Sequence, residues 1–149
     1  MPEIKKIICS IDLSDPLPAV AEYAGLLARN AGASVTVSYV VPSLSLFPGF
    51  QVVPGRVEDF IARIKEGAME TMDAFIAEHF QGMEVKAEIA VGDIAEEILA
   101  LADREQADVI VMGTRGRRGM NAVLFGSVAA KVVKKSKCPV MTIHPSAGA

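Results

Sequence analysis

The sequence predicts an α/β protein built on a doubly wound parallel sheet with helices on both faces. Short runs rich in Ile and Val recur five times, helical patterns of apolar residues separate them, and the connections are short. Strands that alternate with helices in this order form a parallel sheet through right-handed crossovers. We expect one domain over residues 1–149, because that length buries an ordinary core without disulfides or metals.

The first strand and the first helix are predicted between residues 4 and 32. Residues 4–12, IKKIICSID, are rich in Ile and end in polar residues, as expected of a buried strand that enters a loop. In the following helix Ser14 or Asp15 is available as N-cap, two prolines fall in the first turn, and Gly32 ends the helix. Apolar residues recur there at helical spacing: Leu17, Val20, Ala21, Ala24, Leu27 and Ala28.

The middle of the chain contains a strand, a long helix and another strand. β-Branched residues predict a strand over 34–41, and an apolar residue at every third or fourth position predicts a helix over 56–80. Residues 84–91 alternate charged and apolar side chains, which is typical of a half-exposed strand. We therefore expect this strand at an edge of the sheet.

The remaining residues predict two further helices and two further strands. Asp93 is the expected N-cap of a helix over 94–105. The almost wholly apolar segment 107–113, ADVIVMG, is typical of a central strand covered on both faces. A helix over 127–137 carries lysines near its end, where the helix dipole favours cations, and 138–145 is the last strand.

Composition and charge exclude several classes of protein. The 15 Lys and Arg against 18 Asp and Glu give a net charge of -3, which argues against a nucleic-acid partner and a polybasic membrane patch. No apolar run approaches the roughly 20 residues that span a bilayer, and the first residues lack a signal-peptide cleavage pattern. We therefore expect a cytoplasmic protein that makes no membrane contact. Cys9 and Cys138 lie in apolar segments, and we interpret both as core residues.

The segment after the 107–113 strand has the composition of an anion-binding loop. It reads MGTRGRRGMNAVLFGSVAAKV and leads into a helix, whose N-terminal N–H groups attract anions. Gly113, Gly116 and Gly126 permit positive φ angles and let backbone amides approach a phosphate closely. Ser127 can cap the helix and offer its hydroxyl to a phosphate oxygen. An anion is therefore the expected ligand.

Two common phosphate-binding motifs are absent from this loop. The sequence contains no G-x-x-x-x-G-K-[ST], which disfavours a P-loop NTPase. GTRGRRG has two residues between its first glycines instead of one, and it follows the fourth strand instead of the first. An ordinary NAD enzyme is disfavoured for that reason.

The segment GTRGRRGMNAVLFGS has the G-x2-G-x9-G-[ST] pattern and resembles the ATP-binding branch of the universal stress proteins. IICSIDLSD near the start and KCPVMTI near the end also resemble that family. The resemblance implies a Rossmann-like sheet of five strands in the order 3-2-1-4-5 and a homodimer formed through the last strand. It further implies ATP or ADP in a cleft at the C-terminal ends of the strands, with any magnesium held mainly by the phosphates.

The same resemblance assigns the nucleotide to residues that end three strands or begin the last helix. Carried over by position, these are Ser10, Asp12, Val40, Met112, Gly113, Gly116, Gly126, Ser127 and Val128. The first three would hold the nucleoside, the next three would line the ribose and phosphates, and the last three would hold the phosphates. For Asp12, capping of the first helix is an alternative that can coexist with ligand contact.

The arginines inside the loop are not specified by the family pattern. A phosphate contact from Arg115, Arg117 or Arg118 rests on charge alone, and a solvated charged surface is the simpler interpretation. Arg115 is the preferred candidate for a phosphate contact, because it lies between Gly113 and Gly116.

The residues give no pattern for fast catalysis. His79 and His144 are isolated from other residues at metal-ligand spacing, and no G-x-S-x-G motif occurs, so we predict neither a catalytic residue nor a metal site. Glu96 and Glu97 are expected to face solvent. The main hypothesis is a nucleotide-dependent stress-response or signalling protein. Two alternatives stay open: a slow ATPase or adenylate-dependent enzyme, and a nucleotide-free dimeric interaction module.

The loop over 43–56 is unusually apolar for a surface connection. It contains Leu44, Leu46, Phe47, Phe50, Val52 and Val53. Packing against the same domain is one interpretation, and a lid or a contact with an unknown protein partner is the other. The sequence does not decide between them.

Overall fold

The computed structural model describes residues 1–13, 16–42, 56–114 and 126–145. In the first half of the chain the elements are β1 (Lys6–Ser10), α1 (Pro18–Ala31), β2 (Ser34–Pro42) and α2 (Arg56–His79). The second half contributes β3 (Val85–Gly92), α3 (Ile94–Glu105), β4 (Val109–Gly113), α4 (Ser127–Lys135) and β5 (Val140–Ile143). Within these ranges no helix is long and apolar enough to cross a membrane.

The five strands form one parallel sheet in the order β3-β2-β1-β4-β5. The predicted fold class and strand order are confirmed, and β3 lies at an edge as its alternating pattern predicted. β1 occupies the centre, where Ile7 is paired with Val35 of β2 and with Val109 of β4. The chain therefore winds outward from β1 in both directions.

Alternation along the strands divides the core between the two faces of the sheet. Ile7 and Cys9 of β1 pack with residues of α1 and α2, whereas Ile8 between them packs with residues of α3 and α4. Both clusters contain side chains that are almost wholly buried, such as Met72 of α2 and Ile98 of α3. Since side chains point alternately to opposite faces of a strand, a fully apolar strand serves both helical layers.

The start of α1 differs from its prediction. The helix begins at Pro18 with Leu17 as N-cap, and no side chain caps it, so the expected cap by Ser14 or Asp15 is wrong. Proline at N1 explains the late start, because its ring fixes a helical φ and its missing N–H needs no capping group. Gly32 ends the helix as predicted, with a left-handed φ of 67°.

The start of α4 also differs from its prediction. Gly126 is the N-cap, with φ -64° and ψ 155°, and Ser127 is the first helical residue, so Ser127 does not cap the helix. Because a helix of this kind has no side-chain cap, its N-terminal N–H groups depend on other acceptors. The helix ends at Lys135, two residues before the predicted end at 137.

Burial departs from expectation at two residues, Cys138 and Phe60. Cys9 is fully buried, and burial raises the pKa of its thiol to about 12, but Cys138 is only partly buried and is not a full core residue. Phe60, predicted on the apolar face of α2, is 41% exposed. The 43–55 segment lies outside the described residues, so neither interpretation of that apolar loop is decided.

Two carboxylates hold the elements together at the amino ends of the strands. Asp108 accepts hydrogen bonds from the backbone N–H groups of Lys5 and Lys6 at 2.8 and 2.9 Å, and these bonds lower the pKa of its carboxyl. Burial raises the pKa of Glu105, but hydrogen bonds from Lys86 and Thr36 outweigh burial and lower that pKa overall. These polar contacts lie at the opposite edge of the sheet from the cleft described next.

Candidate functional site

A cleft opens at the carboxyl edge of the sheet, beside the point where the strand order reverses around β1. β1 ends at Ser10, which is paired with Ser38, whereas β2 continues to Pro42. α1 leaves β1 toward one face and α3 packs on the other, so the space beyond the end of β1 is left open. Clefts in open parallel sheets bind ligands at this position.

Six predicted site residues line this one cleft. They come from the ends of β1, β2 and β4 and from the start of α4: Ser10, Asp12, Val40, Met112, Gly113 and Val128. Gly126 and Ser127 directly precede Val128, and Ser127 is exposed. Arg115 and Gly116 lie outside the described residues, as do Arg117 and Arg118. The structure therefore brings together residues that are up to 118 positions apart, from Ser10 to Val128.

The sequence analysis missed the apolar walls of the cleft. These walls comprise Ile11, Leu17, Val20, Tyr39, Ile94, Ile98 and Ala129. Leu17 and Val20 belong to the start of α1, and Ile94 and Ile98 belong to the first turns of α3. Their position in the sequence could have indicated them, because a helix that follows a strand of a parallel sheet begins at the ligand-binding edge of that sheet. The walls would suit the flat apolar faces of a ring system.

Gly113 lines the cleft without using the positive φ that glycine permits. It is absent from the glycines with positive φ. A Cβ built on Gly113 would lie 3.8 Å from the carbonyl oxygen of Ile143 and 3.8 Å from Cγ2 of Val20, which are ordinary contacts. The fold therefore has room for a side chain here. Since Gly113 lines the cleft, its missing side chain enlarges the cleft.

The N-terminus of α4 supplies backbone donors beside the cleft. The N–H of Ala130 donates to the carbonyl of Gly126 at 2.9 Å, which is the first bond of the helix. By helix geometry the N–H groups of residues 127–129 precede this bond and have no intrahelical acceptor. Val128 and Ala129 line the cleft, so the positive end of the helix dipole lies at its wall. This arrangement favours an anion.

The charge and size of the cleft restrict what it can hold. Among the described lining residues Asp12 is the only charged one, so any positive potential in the described part comes from backbone N–H groups. The cleft encloses about 90 Å³, well below the roughly 300–1,000 Å³ of complete small-molecule pockets. A ligand of nucleotide size would therefore extend beyond the enclosed part.

Ion pairs fix the two helices that form one wall of the cleft. Asp93, the predicted and observed N-cap of α3, accepts a hydrogen bond from the N–H of Glu96 at 2.9 Å, and this bond lowers the pKa of Asp93. Lys131 of α4 lies 3.4 Å from Asp93 and 3.3 Å from Glu96. Glu96 is exposed as expected, whereas Glu97 is only half-exposed. These contacts position α4 relative to α3.

Histidines and carboxylates do not assemble a metal site in the described part of the chain. No group of three His, Cys, Asp or Glu side chains in these ranges could hold a metal ion. His79 packs against Phe75 with 4.5 Å between the ring centroids, and His144 is exposed. Neither histidine is among the described residues that line the cleft.

Fold and cleft together define an α/β protein of the doubly wound type with an open cleft at the carboxyl edge of its sheet. The model of the universal stress protein family matches residues 3–144, so the chain belongs to that family. Universal stress protein MJ0531 of Methanocaldococcus jannaschii is 36% identical over 141 residues, which cover 93% of this chain and 81% of that protein.

Two solved structures share the fold over nearly the whole chain. The structure of MJ0577 from the same organism is 28% identical, has a TM-score of 0.77, and is matched over 95% of this chain and 96% of that one. The universal stress protein of Archaeoglobus fulgidus, solved in complex with dAMP, is 26% identical with a TM-score of 0.65. The match covers 96% of this chain and 99% of that chain.

Proposed function

We propose that this universal stress protein binds ATP or ADP in the cleft and acts as a nucleotide-dependent stress-response or signalling module in the cytoplasm. One observation carries the proposal: six residues assigned to a nucleotide from the sequence line a single cleft that adjoins a helix N-terminus. The dAMP bound by the Archaeoglobus relative supports an adenine nucleotide as the ligand class.

The cleft residues divide naturally between the parts of a nucleotide. The apolar walls around Val40 and Ile98 would hold the base, and the carboxylate of Asp12 would accept hydrogen bonds from the ribose hydroxyls. The missing side chain at Gly113 leaves space for the phosphates. Backbone N–H groups at the start of α4 would hold phosphate oxygens, as helix N-termini do. Magnesium would be held mainly by the phosphates, with which it would share the cleft.

The nucleotide serves in this proposal as a ligand and not as a rapidly consumed substrate. Fast hydrolysis requires a group that orients a water molecule and groups that stabilise the transferred phosphoryl charge. Asp12 is the one carboxylate in the described lining, and the proposal already uses it for the ribose. A slow ATPase is the alternative. In that case the protein would hydrolyse nucleotide faster than the spontaneous rate, and Asp12→Ala would abolish this turnover.

We also propose that the chain is a single domain over 1–149 and forms a homodimer through β5. β5 lies at an edge of the sheet, so in the described part of the chain one side of its backbone pairs with no other strand. Met141 of β5 and Val133 of the adjacent α4 are 37% and 47% exposed. Pairing of two β5 strands about a twofold axis would cover both the backbone edge and these side chains. For the 43–56 loop, packing on its own domain and contact with a protein partner both remain open.

Calorimetric titration with ADP and ATP tests the nucleotide proposal. The wild-type protein should bind both, and Asp12→Ala should weaken binding by about 10- to 150-fold, because a hydrogen bond to a charged group contributes about 1.5–3 kcal/mol. Asp73→Ala removes the same charge from an exposed position on α2 and should bind like the wild type. Absence of binding by the wild-type protein would overturn the proposal and favour the nucleotide-free interaction module.

A further inference from the structure

One wall of the cleft is built from the first turns of two different helices. Its lining residues are Ile94 and Ile98 of α3 and Val128 and Ala129 of α4. Both helices contribute to the same apolar cluster on this face of the sheet. Apolar contacts are non-directional, so they do not by themselves fix one position of α4 along α3. The width of the cleft at this wall therefore depends on what else holds the two helices together.

The amine of Lys131 joins the two helices at the end of their contact that lies beside the cleft. It lies 3.4 Å from Oδ2 of Asp93, the N-cap of α3, and 3.3 Å from Oε1 of Glu96 in the first turn. Asp93 directly precedes the cleft-lining Ile94. Val128, which also lines the cleft, precedes Lys131 by three positions and so lies one turn away on the same side of α4. The ion pairs thus adjoin the cleft on both helices.

We propose that Lys131 is a positioning residue for the nucleotide, because its ion pairs with Asp93 and Glu96 hold the start of α4 against the start of α3. This inference rests on the proposed function. Lys131 is not among the described residues that line the cleft, so it acts on the ligand through the two helices. A site that is formed before the ligand arrives binds more tightly, because binding then includes no cost of ordering the site.

The sign of a charge effect distinguishes positioning from direct attraction of the nucleotide. If the amine of Lys131 attracted the phosphates directly, removal of the two neighbouring carboxylates would strengthen nucleotide binding. If the amine positions α4, removal of the same carboxylates releases the helix and weakens binding. The double variant Asp93→Asn, Glu96→Gln makes this change. Asparagine is a good N-cap, so the double variant retains the cap of α3.

Calorimetric titration with ADP measures the effect. Lys131→Met keeps a long unbranched side chain and removes the charge. It should weaken ADP binding by about two- to fivefold, since the loss cannot exceed the strength of partly exposed ion pairs. Lys131→Arg, which keeps the charge, should retain most of the wild-type affinity. The double variant Asp93→Asn, Glu96→Gln should also weaken binding, and Lys131→Met added to it should have no further effect, because the three side chains act as a unit.

Lys137→Met is the matched control. Lys137 lies 3.5 Å from Asp103, so it too joins α3 to the segment that follows α4, but this ion pair lies near the other end of α3. Neither residue is among the described residues that line the cleft. Lys137→Met should therefore bind ADP like the wild type.

Three results would overturn the inference and leave the proposed function intact. The first is wild-type ADP affinity in Lys131→Met, and the second is tighter ADP binding by the double variant. The third is equal weakening by Lys137→Met, which would show a general effect of the ion pairs on the fold. A wild-type protein that binds no adenine nucleotide would overturn both proposals.

Discussion

Substitutions of Gly113 test whether the space left by its missing side chain is needed for ligand binding or for the stability of the fold. A Cβ on Gly113 would meet its nearest neighbours at 3.8 Å, and the backbone there does not have a positive φ. Gly113→Ala should therefore leave the free energy of unfolding unchanged or raise it by about 0.4–1 kcal/mol, because alanine restricts the unfolded chain. That gain would raise the melting temperature by up to about 4 °C.

Gly113→Val should act on the ligand. Its two methyl groups extend one bond beyond the Cβ, toward Val20 and Leu17, which both line the cleft. Overfilling a packed space costs about 1–3 kcal/mol, which corresponds to about 5- to 150-fold weaker ATP binding. Alanine at the same position should change the affinity much less.

Gly92→Ala is the control variant, because it should affect stability and not ATP affinity. Gly92 has φ +152°, and a Cβ there would lie 2.9 Å from Oε1 of Glu97, but Gly92 does not line the cleft. This variant should lose about 1–3 kcal/mol of stability and keep its ATP affinity. Calorimetric titration and thermal melting measure the two properties separately. Wild-type affinity in Gly113→Val, or severe destabilisation by Gly113→Ala, would refute the reasoning.

Two further predictions concern the helix that walls the cleft and the edge of the sheet. Asp93→Ala should cost about 1 kcal/mol at pH 7 through loss of the cap to Glu96, and Asp93→Asn should cost less. Folding lowers the pKa of Asp93. The stability that the Asp93 carboxylate contributes is therefore fully present at a pH above its ordinary pKa of about 3.9, and it is lost as the pH falls through the lower pKa of the folded state. The melting difference between wild type and Asp93→Ala should therefore shrink in acid, and a constant difference would contradict this origin. Sedimentation should give the wild type twice the 15.8 kDa chain mass, and Met141→Lys should shift the protein to monomer; a wild-type monomer at micromolar concentration would exclude the dimer.

Element order and sheet topology were predictable because they follow from local patterns and general rules of handedness. The apolar segment 107–113 belongs to a strand covered on both faces, and alternation in 84–91 placed β3 at an edge. The family pattern identified positions that line one cleft, although these positions are far apart in the chain. The order of these positions in the sequence, combined with a known sheet topology, was sufficient to predict that part of the site.

Helix starts and the apolar walls were less predictable, because tertiary geometry determines them. Ser14 and Asp15 are good caps by residue type, yet proline at position 18 starts α1 later. Ser127 is also a good cap by type, yet Gly126 takes that position. The ion pairs of Lys131 with Asp93 and Glu96 join two helices, and no local pattern indicates them.

Identification of the small molecules released from the purified protein tests the central claim most directly. The protein is purified without added nucleotide and denatured, and the released compounds are identified by mass, alongside a Gly113→Val, Gly126→Val double variant. We predict that the wild type releases ADP or ATP and that the double variant releases none. A wild type that releases no adenine nucleotide and also fails to take up added ATP would contradict the account.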